Sequence, residues 1–239
     1  MPRTTLALTS FVSGEFSAKL DGRTDFQKYN TSCKTLENFL VHPQGAATRR
    51  VGTQFIAEVK SSAAKTRLIP FEFSTTQTYI MEFGNNYIRF FKDKGQITSG
   101  GSAYEISSPY ATSELFDIKF AQSADVMYLC HPNHDVRKLS RTGHTSWTLA
   151  TVSFTGSPSP AISGADNRPS CVSFFEQRLV FANTNNNPQT LFFSKSGDYE
   201  NMTTGTDADD AMIYTIASNQ VNAIQFLKAQ RTLIVGTTG

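Results

Sequence analysis

Val172-Ser173-Phe174-Phe175-Glu176-Gln177-Arg178-Leu179-Val180-Phe181-Ala182 reads as an apolar residue, one spacer and a Phe, then a short polar stretch, then a second apolar run. The same order recurs three more times. Its other openings are Phe71-Glu72-Phe73, Ile118-Lys119-Phe120 and Ile224-Gln225-Phe226, so successive copies lie 47, 54 and 52 residues apart. The matching second runs are Tyr79 to Phe83, Val126 to Cys130 and Leu233 to Val235. Repetition at this period implies stacked supersecondary units, and the β-propeller blade is the β-rich unit of about this length. The expected fold is all-β dominated. It is a partial β-propeller of four-stranded antiparallel blades, with Phe73, Phe120, Phe174 and Phe226 as its repeating core.

Working outward, the first copy offers strands at Leu68 to Phe73, Thr78 to Phe83 and Tyr87 to Phe91. Gly84-Asn85-Asn86 has the composition of a tight hairpin. The second offers Leu115 to Phe120, Val126 to Cys130, Val136 to Leu139 and Trp147 to Phe154. The third offers Cys171 to Phe175, Leu179 to Ala182, Thr190 to Ser194 and Tyr199 to Met202. A fourth opens at Val221 and stops at Gly239, just after its second strand. That makes about three and a half blades, where closed propellers have four or more. The natural protein is therefore expected to continue past Gly239, or to receive the missing strands from elsewhere. A strand over Gly52 to Val59 is expected to help close the ring. The competing architecture is a smaller, open β-sandwich with coincidental spacing.

Residues 1–50 read differently from residues 51–239. An extended arm covers residues 1–23, punctuated by Gly14 and Gly22. Phe26, Tyr29, Cys33, Leu36, Phe39 and Leu40 then fall at steps of three and four, which predicts one amphipathic helix. Thr24 or Asp25 would cap it, and His42-Pro43-Gln44-Gly45 would end it.

The formal net charge is +2, which gives no general pull on nucleic acid or membrane. Cys33, Cys130 and Cys171 are too few and too scattered for a disulfide framework, and read as reduced thiols in a reducing compartment. No apolar run is long enough to span a bilayer as a helix. Arg3 to Val12 is broken by Thr and Ser, and reads as no signal peptide.

Signatures of catalysis are missing. The chain has no phosphate-binding G-x-x-x-x-G-K-[ST] loop, no H-E-x-x-H and no G-x-S-x-G elbow. Cys130-His131-Pro132-Asn133-His134, with His144 further on, brings thiolate and imidazole together at a turn. A second close ligand pair is missing from the sequence, so no metal is expected. Asp207-Ala208-Asp209-Asp210 lacks the Gly and the distal Glu of an EF-hand loop and reads as an acidic surface loop. Arg49-Arg50 reads as a contact for phosphate or a partner carboxylate, or as two solvated side chains. The chain is expected to be no enzyme and to need no cofactor.

The first sixty residues carry Ser13-Gly14-Glu15-Phe16-Ser17, Leu20-Asp21-Gly22-Arg23-Thr24-Asp25, Tyr29, Cys33, Glu37-Asn38-Phe39, Gly45, and Arg49-Arg50-Val51-Gly52-Thr53-Gln54-Phe55. This string resembles the N-terminal signature of the tail nozzle proteins, or tail tubular protein B family, of short-tailed bacteriophages. Val51 stands where that family usually has Pro, which leaves the turn before Gly52-Thr53 less fixed. The likeness continues through Phe174 to Ala182, Ser194-Lys195-Ser196-Gly197-Asp198-Tyr199, Asp209-Asp210-Ala211, and Ser218 with Val221-Asn222 and Ile224. It implies a longer, non-enzymatic virion protein assembled in the host cytoplasm into a homohexameric tube at the distal end of the tail. It also implies docking below the adaptor, contact with the tail fibre, and transient passage of DNA without sequence-specific binding. On exposure and chemistry, Phe11, Phe16 and Leu20 are expected to be apolar anchors. Asp21, Arg23, Asp25, Arg49 and Arg50 are expected to make the polar contacts with neighbouring subunits and the adaptor. The alternatives are a carbohydrate-binding or glycoside-cleaving propeller, and a host peptide-binding scaffold. The first requires a carboxylate pair, and the second a Trp-Asp or Kelch repeat; the sequence shows neither.

Overall fold

The computed structural model describes residues 7–217 and 220–238. Residues 1–6 of the expected arm, Ser218 of the family-like string and the final Gly239 lie outside the described residues. The chain divides into two compact units, one ending at Phe55 and the other beginning at Ile56.

The larger unit is all-β and consists mainly of four antiparallel meanders in chain order. Sheet 1 contains Arg67–Ser74, Gln77–Gly84, Tyr87–Lys92 and Glu105–Ser107, with Gly95–Gln96 beside its third strand. Sheet 2 contains Lys119–Ser123, Val126–His131, His134–Gly143 and Ser146–Thr151. Sheet 3 contains Cys171–Phe175, Arg178–Ala182, Thr190–Phe193 and Met212–Thr215. Sheet 4 has two strands, Ile224–Ala229 and Leu233–Thr237.

Turn chemistry fixes the hairpins. Glu176 and Gln177 both have positive φ, 46° and 59°, and so do Asp93 and Lys94, 51° and 62°. Two-residue loops of this kind match the right-handed twist of the strands they join. Gly84 is required for a different reason: the Tyr87 ring lies across it, and a Cβ there would come within 2.2 Å of ring carbon.

Alternation within the second strands explains why the sheets follow one another. Met127 and Leu129 of sheet 2 pack into the core shared with sheet 1, while Tyr128 and Cys130 pack into the core shared with sheet 3. In sheet 3, Leu179 and Phe181 face sheet 2, while Val180 and Ala182 join Ile224 of sheet 4. Successive residues of a strand point to opposite faces, so an unbroken apolar run must be covered on both sides. The first strands of successive sheets also touch. Gln122 Nε2 donates to Glu72 O at 2.9 Å, Glu72 N donates to Gln122 Oε1 at 3.1 Å, and Cys171 Sγ lies 3.3 Å from Gln225 O.

The recurrent Phe residues are not the deep core. Phe71, Ile118, Val172 and Ile224, which open the copies, are at most 7% exposed, whereas Phe73 is 38% and Phe226 52% exposed. Phe120 and Phe174 are half-buried against the core margins. Both pattern positions share a face, but the Phe lies two residues further along. For Phe73 that is the hairpin end, where the ladder slips between Glu72 and Ser74 and the Arg141 guanidinium covers the ring at 4.2 Å. Among other differences, Leu115 and Ile118 are buried in the turns that precede sheet 2. The fourth strand of sheet 3 is Met212–Thr215, so Tyr199 to Met202 is not a ladder strand.

The smaller unit corrects two expectations. Phe26 to Leu40 forms no amphipathic helix. It contains a single 3-10 turn, Tyr29–Thr31, then the short strands Ser32–Cys33 and Phe39–Val41. Side chains compete there with a helical ladder: Ser32 Oγ donates to Tyr29 O at 2.7 Å and Thr31 Oγ1 to Lys28 O at 3.1 Å. Asn38 then turns the chain at φ 62°. Ser32–Cys33 pairs in parallel with Gly14–Glu15, and Phe39–Val41 pairs with Ala47–Arg49. The expected strand over Gly52 to Val59 does not form, and Val51 and Phe55 are 85% and 80% exposed.

The only Trp lies at the centre of the contact between sheets 1 and 2. The Trp147 ring stacks on Phe90 at 4.3 Å and meets Phe71 and Tyr79 edge-on at 4.9 and 5.2 Å. Its Nε1 donates to His144 O at 3.1 Å, so no polar atom of the ring is left unpaired. Trp147→Ala is expected to lower unfolding stability by about 3–5 kcal/mol. Urea denaturation followed by circular dichroism measures this. A loss near zero would mean that this contact does not hold the two sheets together.

Candidate functional site

Of the expected contact residues of the N-terminal unit, Arg23 and Asp25 bond to each other, while Phe16, Asp21 and Arg50 engage other residues of the same unit. Phe16 packs on Phe26 and Tyr29 at 5.9 and 6.1 Å. Arg23 makes a two-pronged pair with Asp25, both bonds 2.7 Å, which holds that carboxyl below its ordinary range. Asp21 lies 3.4 Å from Lys34, and Arg50 Nε donates to Asn38 Oδ1 at 2.6 Å. Arg49 is exposed at the end of its strand, while Phe11 and Leu20 are half-buried. Among the described residues of this unit only Ser32 and Gly45 are buried, and no large apolar side chain is. Phe26, Phe39, Leu40, Val51 and Phe55 face solvent.

A second constellation lies in the larger unit, and sequence spacing conceals a third of it. The two-residue Pro132-Asn133 turn sets His131 opposite His134 in sheet 2. The connection from sheet 1 adds Glu114, so the pair that the sequence lacks is completed from twenty residues upstream. One ligand atom from each of Glu114, His131 and His134 lies within 4.8 Å of the others. His134 Nε2 is 2.9 Å from Glu114 Oε2, which also accepts from Ala111 N at 2.9 Å. Glu114 Oε1 accepts from Asn133 Nδ2 at 3.3 Å. Burial raises the Glu114 pKa, but these three donors together outweigh it and bring the carboxyl down to about 2. His131 is buried, its Nδ1 accepts from Asn133 N at 3.1 Å, and its Nε2 has no partner. Burial lowers its pKa and favours the neutral ring. Cys130 points to the opposite face, into the core shared with sheet 3, where burial pushes its thiol well up. It therefore offers no ligand to this cluster. His144 is also elsewhere, with its Nδ1 2.6 Å from Tyr79 Oη.

The acidic loop is neutralised from within. Lys195 Nζ lies 3.1 Å from Asp209 and 3.2 Å from Asp210, and the buried Arg178 guanidinium donates to the carbonyls of Ser194, Ala208 and Asp210 at 2.6–2.7 Å. All three cysteines are free thiols. No helix among the described residues is long and apolar enough to cross a membrane. No protein-family model matches the chain, and no curated protein matches it.

The depressed pKa of Glu114 has a signed consequence. Its ionised form is favoured in the folded chain, so the stability it adds is present above its ordinary value of 4.5 and is lost as pH falls towards about 2. Acid unfolding of Glu114→Gln, measured by denaturant titration at stepped pH, is expected to lose part of the slope in that window and to be unchanged in shape near pH 7. An identical slope in both chains would contradict this account.

Proposed function

We propose that this chain is a structural subunit of the tail nozzle of a short-tailed phage, in which a β-propeller supports a conduit for the departing genome. The four meanders are read as successive blades whose first strands face the axis. The second strands of sheets 2 and 3 are buried on both faces. Sheets 1 and 4 each leave apolar side chains exposed, Leu68 and Ile80 on one and Phe226 and Ile234 on the other. Such faces suit further blades packed against them. The modest net charge suits a wall past which DNA moves without lodging.

The observation that carries the reading is the N-terminal unit. Its described residues bury no large apolar side chain while several aromatic and aliphatic ones stand in solvent. A segment with so little interior gains order by lying on a partner. The string that resembles the nozzle family runs through this same unit. Copies of the chain and the adaptor are the partners this reading assigns, through Phe11, Phe16, Leu20 and Arg49. Asp21, Arg23, Asp25 and Arg50 chiefly hold the unit's own shape and act on neighbours through it.

Native mass spectrometry and negative-stain imaging of the purified chain are expected to give a closed ring of six copies. Removal of residues 1–23 is expected to keep the β-rich circular dichroism spectrum and abolish the ring. A chain that stays monomeric at every concentration, or a shortened chain that assembles normally, would overturn the assignment. Glycan binding by a monomer would favour a carbohydrate-binding module instead.

A further inference from the structure

We propose that Glu114, His131 and His134 form a site for a divalent transition-metal ion of the zinc type, which ties the connection after sheet 1 to the second turn of sheet 2. Two imidazoles and one carboxylate are a ligand set that zinc takes with a fourth position left to water. The three donors come from two segments, with Glu114 twenty residues before His134, so an ion there would cross-link them.

Three observations carry the inference. The ligand atoms already lie within 4.8 Å of one another, and an approach of at most about 1.5 Å brings such groups to the roughly 3.3 Å spacing of a tetrahedral zinc site. The His131 ring is buried, and its Nε2 is a polar atom with no hydrogen-bond partner, a state that native interiors rarely keep without an ion or a water to explain it. The supporting contacts of a metal site are also present. Ala111 N and Asn133 Nδ2 both donate to the Glu114 carboxylate and fix its direction, as outer-sphere groups do around bound zinc. Tyr110 walls the cluster, its ring 5.1 Å from His134 and 6.0 Å from His131, and its buried hydroxyl is likewise unpartnered.

Binding requires one rearrangement. With Nδ1 of His131 accepting from Asn133, the neutral ring carries its proton on Nε2. A metal ion on Nε2 takes that lone pair, the proton moves to Nδ1, and the 3.1 Å contact from Asn133 opens. His134 gives up its hydrogen bond to Glu114 in the same step, since its Nε2 and the carboxylate then share the ion.

The test uses the full chain, stripped with a chelator and titrated with zinc chloride by calorimetry, and with cobalt(II) followed by visible absorption. One equivalent is expected to bind and to raise the unfolding temperature. Glu114→Gln and His134→Gln are each expected to weaken binding by at least about tenfold, the loss that even outer-sphere substitutions cause at metal sites. Asp209→Asn, in the acidic loop, is expected to leave it unchanged. Nitrogen chemical shifts of His131 should move from the Nε2-protonated to the Nδ1-protonated form on loading. Failure of the folded chain to bind zinc at micromolar concentration would overturn the proposal. So would equal binding by Glu114→Gln and His134→Gln, or loss of binding only in Asp209→Asn. Should either ligand variant fail to fold, the histidine shifts of the unsubstituted chain decide alone: no change on loading sinks the site.

Discussion

A strand whose consecutive residues are all apolar has no solvent side, and the architecture follows from meeting that condition twice. The runs Val126 to Cys130 and Leu179 to Ala182 each need cover above and below. Sheet 2 finds it in sheets 1 and 3, and sheet 3 finds it in sheets 2 and 4. A single meander with such a strand would be an exposed apolar surface; a series of them is a continuous core. The aromatic cluster around Trp147 is the densest instance, because sheet 1 contributes Phe71, Tyr79 and Phe90 from three different strands.

Arginine side chains fix the peptide that the ladders leave over. Arg67, at the start of sheet 1, donates to Leu115 O and Ile118 O at 2.8 and 2.7 Å, which anchors the turns leading into sheet 2. Burial lowers its pKa, as expected of a guanidinium taken partly out of water. Arg178 does similar work within sheet 3 with its three carbonyl partners. Buried backbone acceptors need donors, and a planar guanidinium supplies several from a fixed fork. The turns before sheet 2 and the connection inside sheet 3 thereby have carbonyls paired that no strand ladder reaches.

The sheet-forming half of the chain was legible because its apolar runs and turn residues agree. Tyr79 to Phe83, Val126 to Cys130, Leu179 to Ala182 and Leu233 to Val235 all fall inside second strands, and Gly84-Asn85-Asn86 leads the hairpin as its composition suggests. Depth within a strand was not legible. Phe drew attention by its size, but the residue two places earlier lies deeper, and only the length of strand beyond it decides that. The spacing of Phe26, Tyr29, Cys33, Leu36 and Leu40 imitates a helix, and Thr31, Ser32 and Asn38 overrule it through local side-chain bonds and a left-handed turn. The histidine cluster was half legible. His131 and His134 flank a two-residue turn and must meet, whereas nothing in the order of residues ties Glu114 to them. Its own turn, closed by Ala111 N, aims it there.

Apart from Glu105–Ser107, which returns to Tyr87–Lys92 past the short Gly95–Gln96 strand, the four sheets pair strands that follow one another in the chain, and each shared core joins a sheet to the one before it. Most loop closures are therefore short, and local contacts of this kind form early and quickly. The order in which a ribosome releases the segments matches the order in which they can be covered. Sheet 1 waits with one greasy side until sheet 2 emerges, and sheet 2 then waits in its turn for sheet 3. Synthesis and folding can thus advance in step, with the newest unfinished surface always at the growing end.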